Sequence, residues 1–406
     1  MKTLPAVELT VYPYECDASG HLNEASFLTV FERARWDALA RGPGMDVFRR
    51  NGVSPAVRRA TVDYRAVVYP GDVLRIETQV LARETTSLTL RHIATRRADD
   101  TLVAEAEIVF VMIDRVGRPA PMSDELAQLF GSRTSGSTPR EPQRVPVSGA
   151  ELAVEVRGEG LPVLLVHGFP LDHTMWRHQI AGLGRCRRIA PDLRGAGASS
   201  VPADGYSVAR YADDLVAVLD AVGVRQAVVC GLSLGGYIVF ELVRRHADRL
   251  KAIVLADTKA DADSPEARRG RDELAAVATR RGAGAVADRL LPRLLSPTTH
   301  AAQPEVVRQV REMIERQPVP GIVGALAALR DRPDSGQTLA AVRVPTLVLV
   351  GGDDELTPPA AATAMAAAIP GAQLVTIPAA GHLAPLEQPL AVARALSDFV
   401  GSVGLS

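Results

Sequence analysis

The chain has 406 residues, 47% of them hydrophobic, and a formal net charge of −1. This length favours two domains over one, and the apolar content is sufficient for two cores. The near-neutral charge argues against a nucleic-acid partner.

Several features predict a cytoplasmic protein that makes no membrane contact. The first residues, MKTLPAVELTV, lack the apolar core of a signal peptide. The long uncharged run 356–386 is interrupted by five prolines, so it does not predict a membrane span. The three cysteines form no CxxC pair, which fits a reduced compartment and predicts no metal site.

The first 130 residues predict an α+β arrangement, an antiparallel sheet around one long helix. A short strand is expected over 7–14, followed by a polar turn and a helix over 24–41 with Asn23 as its N-cap. Apolar residues recur at helical spacing along this helix: Phe27, Leu28, Phe31, Ala34, Ala38 and Leu39. Four segments with period-two alternation follow: 62–68, 74–80, 88–94 and 102–112.

Short motifs within this region resemble those of a known family. They are YECDASGHLN at 14–23, Phe27, FERAR at 31–35, Tyr64, YPGD at 69–72 and DRVGRP at 114–119. Residues 5–128 resemble the hotdog-fold acyl-CoA thioesterases of the 4-hydroxybenzoyl-CoA thioesterase type. The resemblance implies a hotdog domain over 1–130 that takes an acyl-CoA thioester as its substrate and pairs into a homodimer or tetramer.

The resemblance also implies roles for two positions at the start of the helix. Asp17 matches the aspartate that acts as nucleophile or general base, and the backbone N–H of Glu24 matches the group that polarises the thioester carbonyl. A helix N-terminus can orient a carboxylate and keep it ionised, which agrees with this role. Asp17 could instead be a turn or capping residue. Many relatives carry a neutral residue where this chain has Glu24.

Residues 131–143 predict a flexible linker between two domains. The segment GSRTSGSTPREP has no apolar residue to bury and is rich in Gly, Ser, Thr and Pro. The second domain is therefore expected over 144–406.

Short apolar strands alternate with helical segments in the second domain, which predicts a doubly wound, mostly parallel sheet. The expected strands are 152–156, 163–166, 188–191, 227–230, 252–256, 346–350 and 374–377, with 145–147 as an antiparallel edge. The helices between them include 208–222, 237–245 and 359–368. Residues 258–340 carry no strand pattern and predict a helical cap with helices at 265–281, 283–295, 305–316 and 321–330.

The sequence Gly-Leu-Ser-Leu-Gly at 231–235 follows a buried strand and opens a helix. This pattern is typical of a nucleophile elbow, where a strained turn exposes a serine at the edge of the sheet. Three further motifs end strands: HGFP at 167–170, GGDDELTP at 351–358, and Gly381-His382. The order Ser…Asp…His is that of the α/β-hydrolase fold.

Chemistry assigns the roles in this second site. His382 would take the proton of the Ser233 hydroxyl, Asp354 would orient the imidazole, and the N–H groups of Phe169 and Leu234 would bind the oxyanion. Asp353 and Asp257 remain alternatives to Asp354. His167 is expected to be structural, and Trp176 is a candidate wall of the substrate pocket.

Three motifs resemble those of the 3-oxoadipate enol-lactonases and related esterases. They are HGFPLD at 167–172, ALRDRPDS at 328–335 and LTPP at 356–359. The leading hypothesis is a bifunctional hydrolase that needs no cofactor, a thioesterase followed by a serine esterase or lactonase. A second hypothesis makes the hotdog part a silent dimerisation module on a single esterase or perhydrolase. A third makes the second domain a ligand-binding receptor.

Overall fold

A computed structural model describes residues 3–41, 46–83, 86–130, 142–183 and 186–404. The chain divides into two compact units, residues 1–140 and 141–406. All but the last two residues of the predicted linker 131–143 lie outside the described residues. Within the described ranges, every helix is too short or too polar to span a lipid bilayer.

The first unit is a five-stranded antiparallel sheet with one long helix packed on it. Its strands are β1 (Thr3–Thr10), β2 (Ser54–Tyr64), β3 (Val73–Arg83), β4 (Ser87–Arg96) and β5 (Leu102–Ile113), in the order β1-β3-β4-β5-β2. Its helices are α1 (Glu24–Ala40), α2 (Asp46–Arg50) and α3 (Asp124–Leu129), with a 3₁₀ turn at Pro13–Glu15. The predicted α+β class is confirmed.

The core of this unit lies between α1 and one face of the sheet. Alternate residues of β3 and β4 are buried there, among them Leu74, Ile76, Leu88 and Leu90. Full burial of each such side chain contributes about 1.5–3 kcal/mol. The predicted N-cap is confirmed, since the Asn23 side chain accepts a hydrogen bond from the Ala25 N–H at 2.8 Å.

Three predictions for this unit were wrong in detail. The first strand runs over Thr3–Thr10 rather than 7–14, because the chain turns into a 3₁₀ helix at Pro13. Leu28 lies on the outer side of α1 and is 40% exposed. The strand predicted over 62–68 is β2, which ends at Tyr64 and lies at the sheet edge, where it pairs with β5. Its burial does not alternate, so its start could not be read from the apolar pattern.

The second unit contains an eight-stranded sheet in the order β13-β12-β11-β10-β8-β9-β7-β6. The strands are β6 (Gln143–Val147), β7 (Ala150–Arg157), β8 (Leu161–Val166), β9 (Cys186–Pro191), β10 (Ala227–Leu232), β11 (Leu250–Ala256), β12 (Thr346–Gly351) and β13 (Gln373–Ile377). All neighbours are parallel except β6–β7 and β7–β9. The doubly wound sheet and its antiparallel first strand are confirmed.

Helices cover both faces of this sheet, which is why its central strands are apolar throughout. They are α4 (Arg177–Gly182), α5 (Val208–Ala221), α6 (Leu234–Arg245), α12 (Pro359–Ala368), α13 (Ala384–Glu387) and α14 (Pro389–Gly404), with 3₁₀ turns at His173–Trp176 and Ala247–Arg249. One core contains Leu164 and Val166 with α5, α6 and α12. The other contains Val163 and Leu165 with α4 and α14.

Five helices separate β11 from β12. They are α7 (Pro265–Leu294), α8 (Pro297–Ala302), α9 (Pro304–Glu315), α10 (Val319–Arg330) and α11 (Gly336–Leu339). The two helices predicted over 265–281 and 283–295 form α7, which kinks at Gly282 where φ is 79°. That backbone conformation favours glycine and interrupts regular helix.

Candidate active site

Ser233 lies at the turn between β10 and α6 in a strained backbone conformation. Its φ and ψ are 54° and −109°, outside the regions that a serine ordinarily adopts. The Ser233 carbonyl accepts hydrogen bonds from the Gly236 N–H at 2.9 Å and the Thr258 hydroxyl at 2.9 Å. These contacts hold the turn in the geometry of a nucleophile elbow.

Glycine is required on both sides of this turn because backbone segments pass very close. A Cβ at Gly231 would lie 2.3 Å from the carbonyl carbon of Gly235, and one at Gly235 would lie 2.5 Å from the Val166 oxygen. These distances are too short for any side chain, which explains the Gly-x-Ser-x-Gly spacing.

The imidazole of His382 lies between Ser233 and Asp354. Its Nε2 is 2.9 Å from the Ser233 Oγ, and its Nδ1 is 2.8 Å from the Asp354 Oδ2. His382 and Asp354 are only 3% and 2% exposed. With Nδ1–H donating to the carboxylate, Nε2 is free to accept the serine proton.

Asp354 is held ionised by its surroundings. Its Oδ1 accepts from the N–H groups of Leu356 at 2.8 Å and Thr357 at 3.0 Å, and its Oδ2 accepts from the Thr357 hydroxyl at 2.5 Å. Burial alone would raise its pKa, but His382 and these donors lower the pKa of Asp354 below its ordinary value. The role of Thr357 was not predicted from the sequence, although Thr357 lies within the GGDDELTP motif.

The two alternative acids lie elsewhere. Asp353 is exposed, and its backbone N–H donates to the Ala380 carbonyl. Asp257 is buried, and its Oδ1 accepts from the Gly351 N–H at 2.7 Å. Burial and the neighbouring Asp354 raise the pKa of Asp257 well above its ordinary value. Asp257 therefore supports the strand end that precedes Asp354.

A small pocket meets the elbow at Leu234 and extends toward the inserted helices, although neither Ser233 nor His382 is among its lining residues. Phe169 and Leu234, whose N–H groups are the predicted oxyanion donors, both line it. Most other lining residues are apolar, including Leu171, Ile322 and Ala325. The sequence did not identify the contribution of α10, since its apolar pattern is the same for packing and for lining a cavity.

His167 supports the loop that carries Phe169. Its Nδ1 lies 2.9 Å from the Gly168 carbonyl, and its Nε2 lies 2.9 Å from the Leu193 N–H. Burial lowers the pKa of His167, so the ring is neutral and can donate on one side and accept on the other. The structure therefore places His167 at the base of this loop, with both ring nitrogens engaged.

An ionic network holds the next part of the same loop. The Arg316 guanidinium donates to both carboxylate oxygens of Asp172, at 2.7 and 2.9 Å, and the Gln317 amide reaches the same carboxylate at 3.0 Å. Burial acts against ionisation, but Arg316 and the Thr174 hydroxyl hold the pKa of Asp172 at about 2. The network ties the end of α9 to the loop after β8, a connection that sequence spacing could not reveal.

His173 lies in a neighbouring ion pair. Its Nδ1 is 2.7 Å from Asp192 and its Nε2 is 3.4 Å from Glu155. Burial would lower its pKa, but hydrogen bonds to Asp192 and Glu155 raise the pKa of His173 to about 10. Asp172, His173 and Asp192 are close enough to bind a metal ion together, yet these bonds already engage their ligand atoms.

Trp176 does not lie on the wall of the pocket beside the elbow, where it was predicted to lie. Its ring is fully buried in the core with Met175, Ile180 and Leu183. Burying the whole apolar ring removes more area from water than a position on the cavity wall would, which accounts for the difference. This corrects its predicted role as a wall of the substrate pocket.

The first unit carries the other predicted site residues on its surface. Glu24 is the first residue of α1, and its carbonyl accepts from the Tyr64 hydroxyl at 3.0 Å. Asp17 is exposed in the preceding turn, where its Oδ1 accepts from the N–H groups of Ser19 at 2.8 Å and His21 at 3.2 Å. The Asp17 side chain therefore stabilises this turn.

Comparisons with known proteins agree with both units. Residues 162–389 match the family described as alpha/beta hydrolase fold, and residues 11–130 match the thioesterase-like superfamily. The chain belongs to the alpha/beta hydrolase family and carries a thioesterase-like domain in its N-terminal part. It is a hydrolase that acts on ester bonds.

Particular relatives narrow this class. The chain is 32% identical to the AB hydrolase superfamily protein YisY of Bacillus subtilis (strain 168), over 62% of this chain and 96% of that protein. It resembles the structure of a malate-bound thermophilic esterase from Thermogutta terrifontis, with 42% identity, a TM-score of 0.63, and coverage of 65% of this chain and 99% of that one. The enol-lactonase from Burkholderia xenovorans LB400 is 29% identical with a TM-score of 0.60, and the match covers 64% of this chain and all of that one.

Proposed function

We propose that the chain is a bifunctional hydrolase. Its α/β-hydrolase part would open a carboxylic ester or enol-lactone with Ser233, His382 and Asp354, and its thioesterase-like part would cleave an acyl-CoA thioester with Asp17. The observation that carries the first activity is the continuous hydrogen-bonded chain from the Ser233 Oγ through His382 to Asp354.

The ester reaction follows from this chain of contacts. As the Ser233 Oγ attacks the substrate carbonyl, its proton moves to the His382 Nε2, and Asp354 stabilises the imidazolium. The N–H groups of Phe169 and Leu234 hold the negative charge on the tetrahedral oxygen. His382 then protonates the leaving oxygen, and a water molecule, deprotonated by His382, releases the acid and restores Ser233. No cofactor takes part in these steps.

The lining of the cavity favours an uncharged acyl group. Arg194 is the charged lining residue, and its guanidinium is buried against Asp214 with contacts of 2.6 and 2.7 Å. Its charge is therefore already compensated. The names of the enol-lactonase and esterase relatives support a lactone or simple ester as the substrate class.

In the thioesterase-like part, the Asp17 carboxylate would attack the thioester carbonyl or activate water against it. The Glu24 N–H at the start of α1 would polarise that carbonyl, helped by the helix dipole. Because Asp17 is exposed in one chain, the site would be enclosed by pairing of two such domains in a homodimer or a tetramer. The enzyme would act on small molecules in the cytoplasm.

One observation favours a second candidate, in which the thioesterase-like part is silent and only holds two esterases together. The Asp17 Oδ1 is already engaged by two backbone N–H groups of its own turn. A carboxylate used in this way can be a turn residue alone.

A hydrolysis panel separates the two candidates. Acyl-CoAs, simple esters and lactones are tested against the wild type, Ser233→Ala, Asp17→Ala and the double variant. Bifunctionality predicts that Ser233→Ala loses only ester and lactone hydrolysis and Asp17→Ala loses only thioester hydrolysis. A wild type that hydrolyses thioesters through Ser233 alone, or not at all, favours the silent module.

A further inference from the structure

A buried glutamate, Glu387, ends the short helix α13 that follows His382. The ester mechanism above does not use its side chain, yet Glu387 is only 2% exposed. A carboxylate is rarely placed in a protein interior unless several donors surround it, because burial without partners is costly. The groups that donate to Glu387 therefore indicate what its burial serves.

One oxygen of Glu387 holds the backbone on both sides of the proposed catalytic histidine. Its Oε1 accepts from the Gly381 N–H at 2.9 Å and from the Leu383 N–H at 3.3 Å. These two residues directly precede and follow His382. Glu387 thus fixes the peptide groups from which the imidazole projects.

The other oxygen of Glu387 holds the start of a helix in the inserted region. Its Oε2 accepts from the Ser296 N–H at 2.7 Å and from the Thr299 hydroxyl at 2.7 Å. Ser296 is the N-cap of α8, and its own hydroxyl accepts from the Thr299 N–H at 3.1 Å. One carboxylate thus joins the His382 segment to the helices that separate β11 from β12.

The two segments that Glu387 joins also pack directly on each other. A Cβ on Gly381 would lie 2.6 Å from the Ser296 nitrogen and 2.9 Å from the Leu295 carbonyl carbon. Ala379 has a φ of 52°, and its carbonyl accepts from the side chains of Gln388 at 3.1 Å and Ser296 at 3.4 Å. A positive φ at alanine is strained and persists only where the surroundings hold it. The segment before His382 therefore keeps its geometry through contacts with its neighbours.

We propose that Glu387 is a positioning residue for His382, and that it links the position of the imidazole to the helices inserted between β11 and β12. It acts through the N–H groups of Gly381 and Leu383 and takes no part in proton transfer. The inference rests on the proposed ester hydrolysis at Ser233. Displacing a catalytic group by about 1 Å can slow a reaction by about 10²-fold. Loosening this segment should therefore lower kcat, whereas KM should change little.

Glu387→Gln tests this role with almost no change in side-chain size. A carboxylate accepts at both oxygens, whereas an amide has one oxygen and one NH₂ group. Whichever way the amide turns, its NH₂ group faces an N–H donor, that of Gly381 on one side or Ser296 on the other. We expect kcat for ester hydrolysis to fall by about 10- to 100-fold and KM to change by less than about threefold. Rates are expressed per Ser233 titrated with an aryl phosphonate, so that a smaller folded fraction does not register as a fall in kcat.

Two further variants separate positioning from a loss of stability. The buried Gln179 amide donates to the Pro385 carbonyl of α13 at 3.1 Å, so Gln179→Leu disturbs the same helix and leaves the donors to Glu387 in place. It should lower the melting temperature and leave kcat within about twofold of the wild type. Thr299→Val removes one donor to the Glu387 Oε2 and keeps the carboxylate. It should lower kcat by at least about twofold but less than Glu387→Gln does, because the three N–H donors remain.

The same assays include His382→Ala, which tests the proposed function itself. If His382→Ala loses ester hydrolysis while Glu387→Gln keeps kcat within about twofold of the wild type, the inference is overturned and the proposed function stands. If His382→Ala keeps the wild-type rate, both are overturned. An effect of Glu387→Gln confined to KM, or an equal fall of kcat in Gln179→Leu, also overturns the inference. If Glu387→Gln does not fold by circular dichroism, an unchanged kcat in Thr299→Val overturns it.

Discussion

The two candidate active sites of this chain differ in how far their residues are buried. Ser233, His382 and Asp354 are joined by contacts of 2.9 and 2.8 Å, and the histidine and the aspartate are buried. Asp17 lies in an exposed turn, where local N–H groups occupy one of its oxygens. The first site is preorganised by the fold, whereas the residue proposed for the second site is open to solvent.

This difference in burial bears on how each site could catalyse its reaction. Preorganised hydrogen bonds in a dry site contribute most to catalysis when they are already in place before the substrate arrives. The serine site meets this condition in one chain, so its activity should depend only on residues of that chain. Under the proposed function, the Asp17 site should depend on assembly as well.

His382→Ala should have the largest effect on activity, and this effect should be confined to the serine site. Without the general base, ester hydrolysis should fall by at least about 10³-fold, because the Ser233 hydroxyl keeps its proton. Thioester hydrolysis should be unchanged. Steady-state rates on both substrate classes are the measurement, and His300→Ala, at an exposed histidine of α8 that contacts the Leu291 carbonyl, is the control.

Asp354→Asn should lower ester hydrolysis by about 10³–10⁴-fold, since an amide cannot stabilise the imidazolium and favours the wrong tautomer of His382. The exposed neighbour Asp353 provides a matched control, and Asp353→Asn should change kcat/KM by less than about twofold. Comparable losses in the two variants would show that the acid has been assigned to the wrong position.

Diluting the protein should change the two activities differently, by a smaller factor than the substitutions above. If the thioesterase-like site is completed by a second copy, thioester hydrolysis per chain should fall several-fold as the protein is diluted below its dissociation constant. Ester hydrolysis per chain should stay constant over the same range. Sedimentation measurements give the oligomeric state at each concentration. If both activities per chain fall equally on dilution, the two sites do not differ in their dependence on assembly.

The smallest effect concerns the ion pair beside the serine site. The pKa of His173 is about 10 in the folded protein and about 6.5 when unfolded. Its contribution to stability is therefore complete below about pH 6.5 and declines as the pH rises toward 10. His173→Asn should lower the free energy of unfolding at pH 6.5 and lower it much less at pH 10, as measured by urea unfolding. A cost independent of pH would mean that His173 is uncharged in the native protein.

Much of the fold could be predicted from local signals. The order of Ser233, Asp354 and His382 at strand ends identified the α/β sheet, and the alternation in 74–80 and 88–94 identified strands β3 and β4. The edge strand β2 was harder to predict, because burial along it does not alternate. The outward position of Leu28 on α1 was also not predicted.

The contacts that the sequence could not predict join residues far apart in the chain. Arg316 is 144 positions from Asp172, and Gln317 is 120 positions from Gly197, whose N–H donates to the Gln317 side chain. With so many arginines in the chain, composition gives no reason to choose one of them. The burial of Arg35 could not be predicted from the sequence either, because its position fits an ordinary helix.

The most direct test of the central claim uses an aryl phosphonate that reacts with activated serines. A working triad predicts one label per chain, located at Ser233 by peptide mass spectrometry, and a labelling rate at least about 10³-fold slower in His382→Ala. Labelling at another residue, or an equal rate in the two proteins, would contradict it.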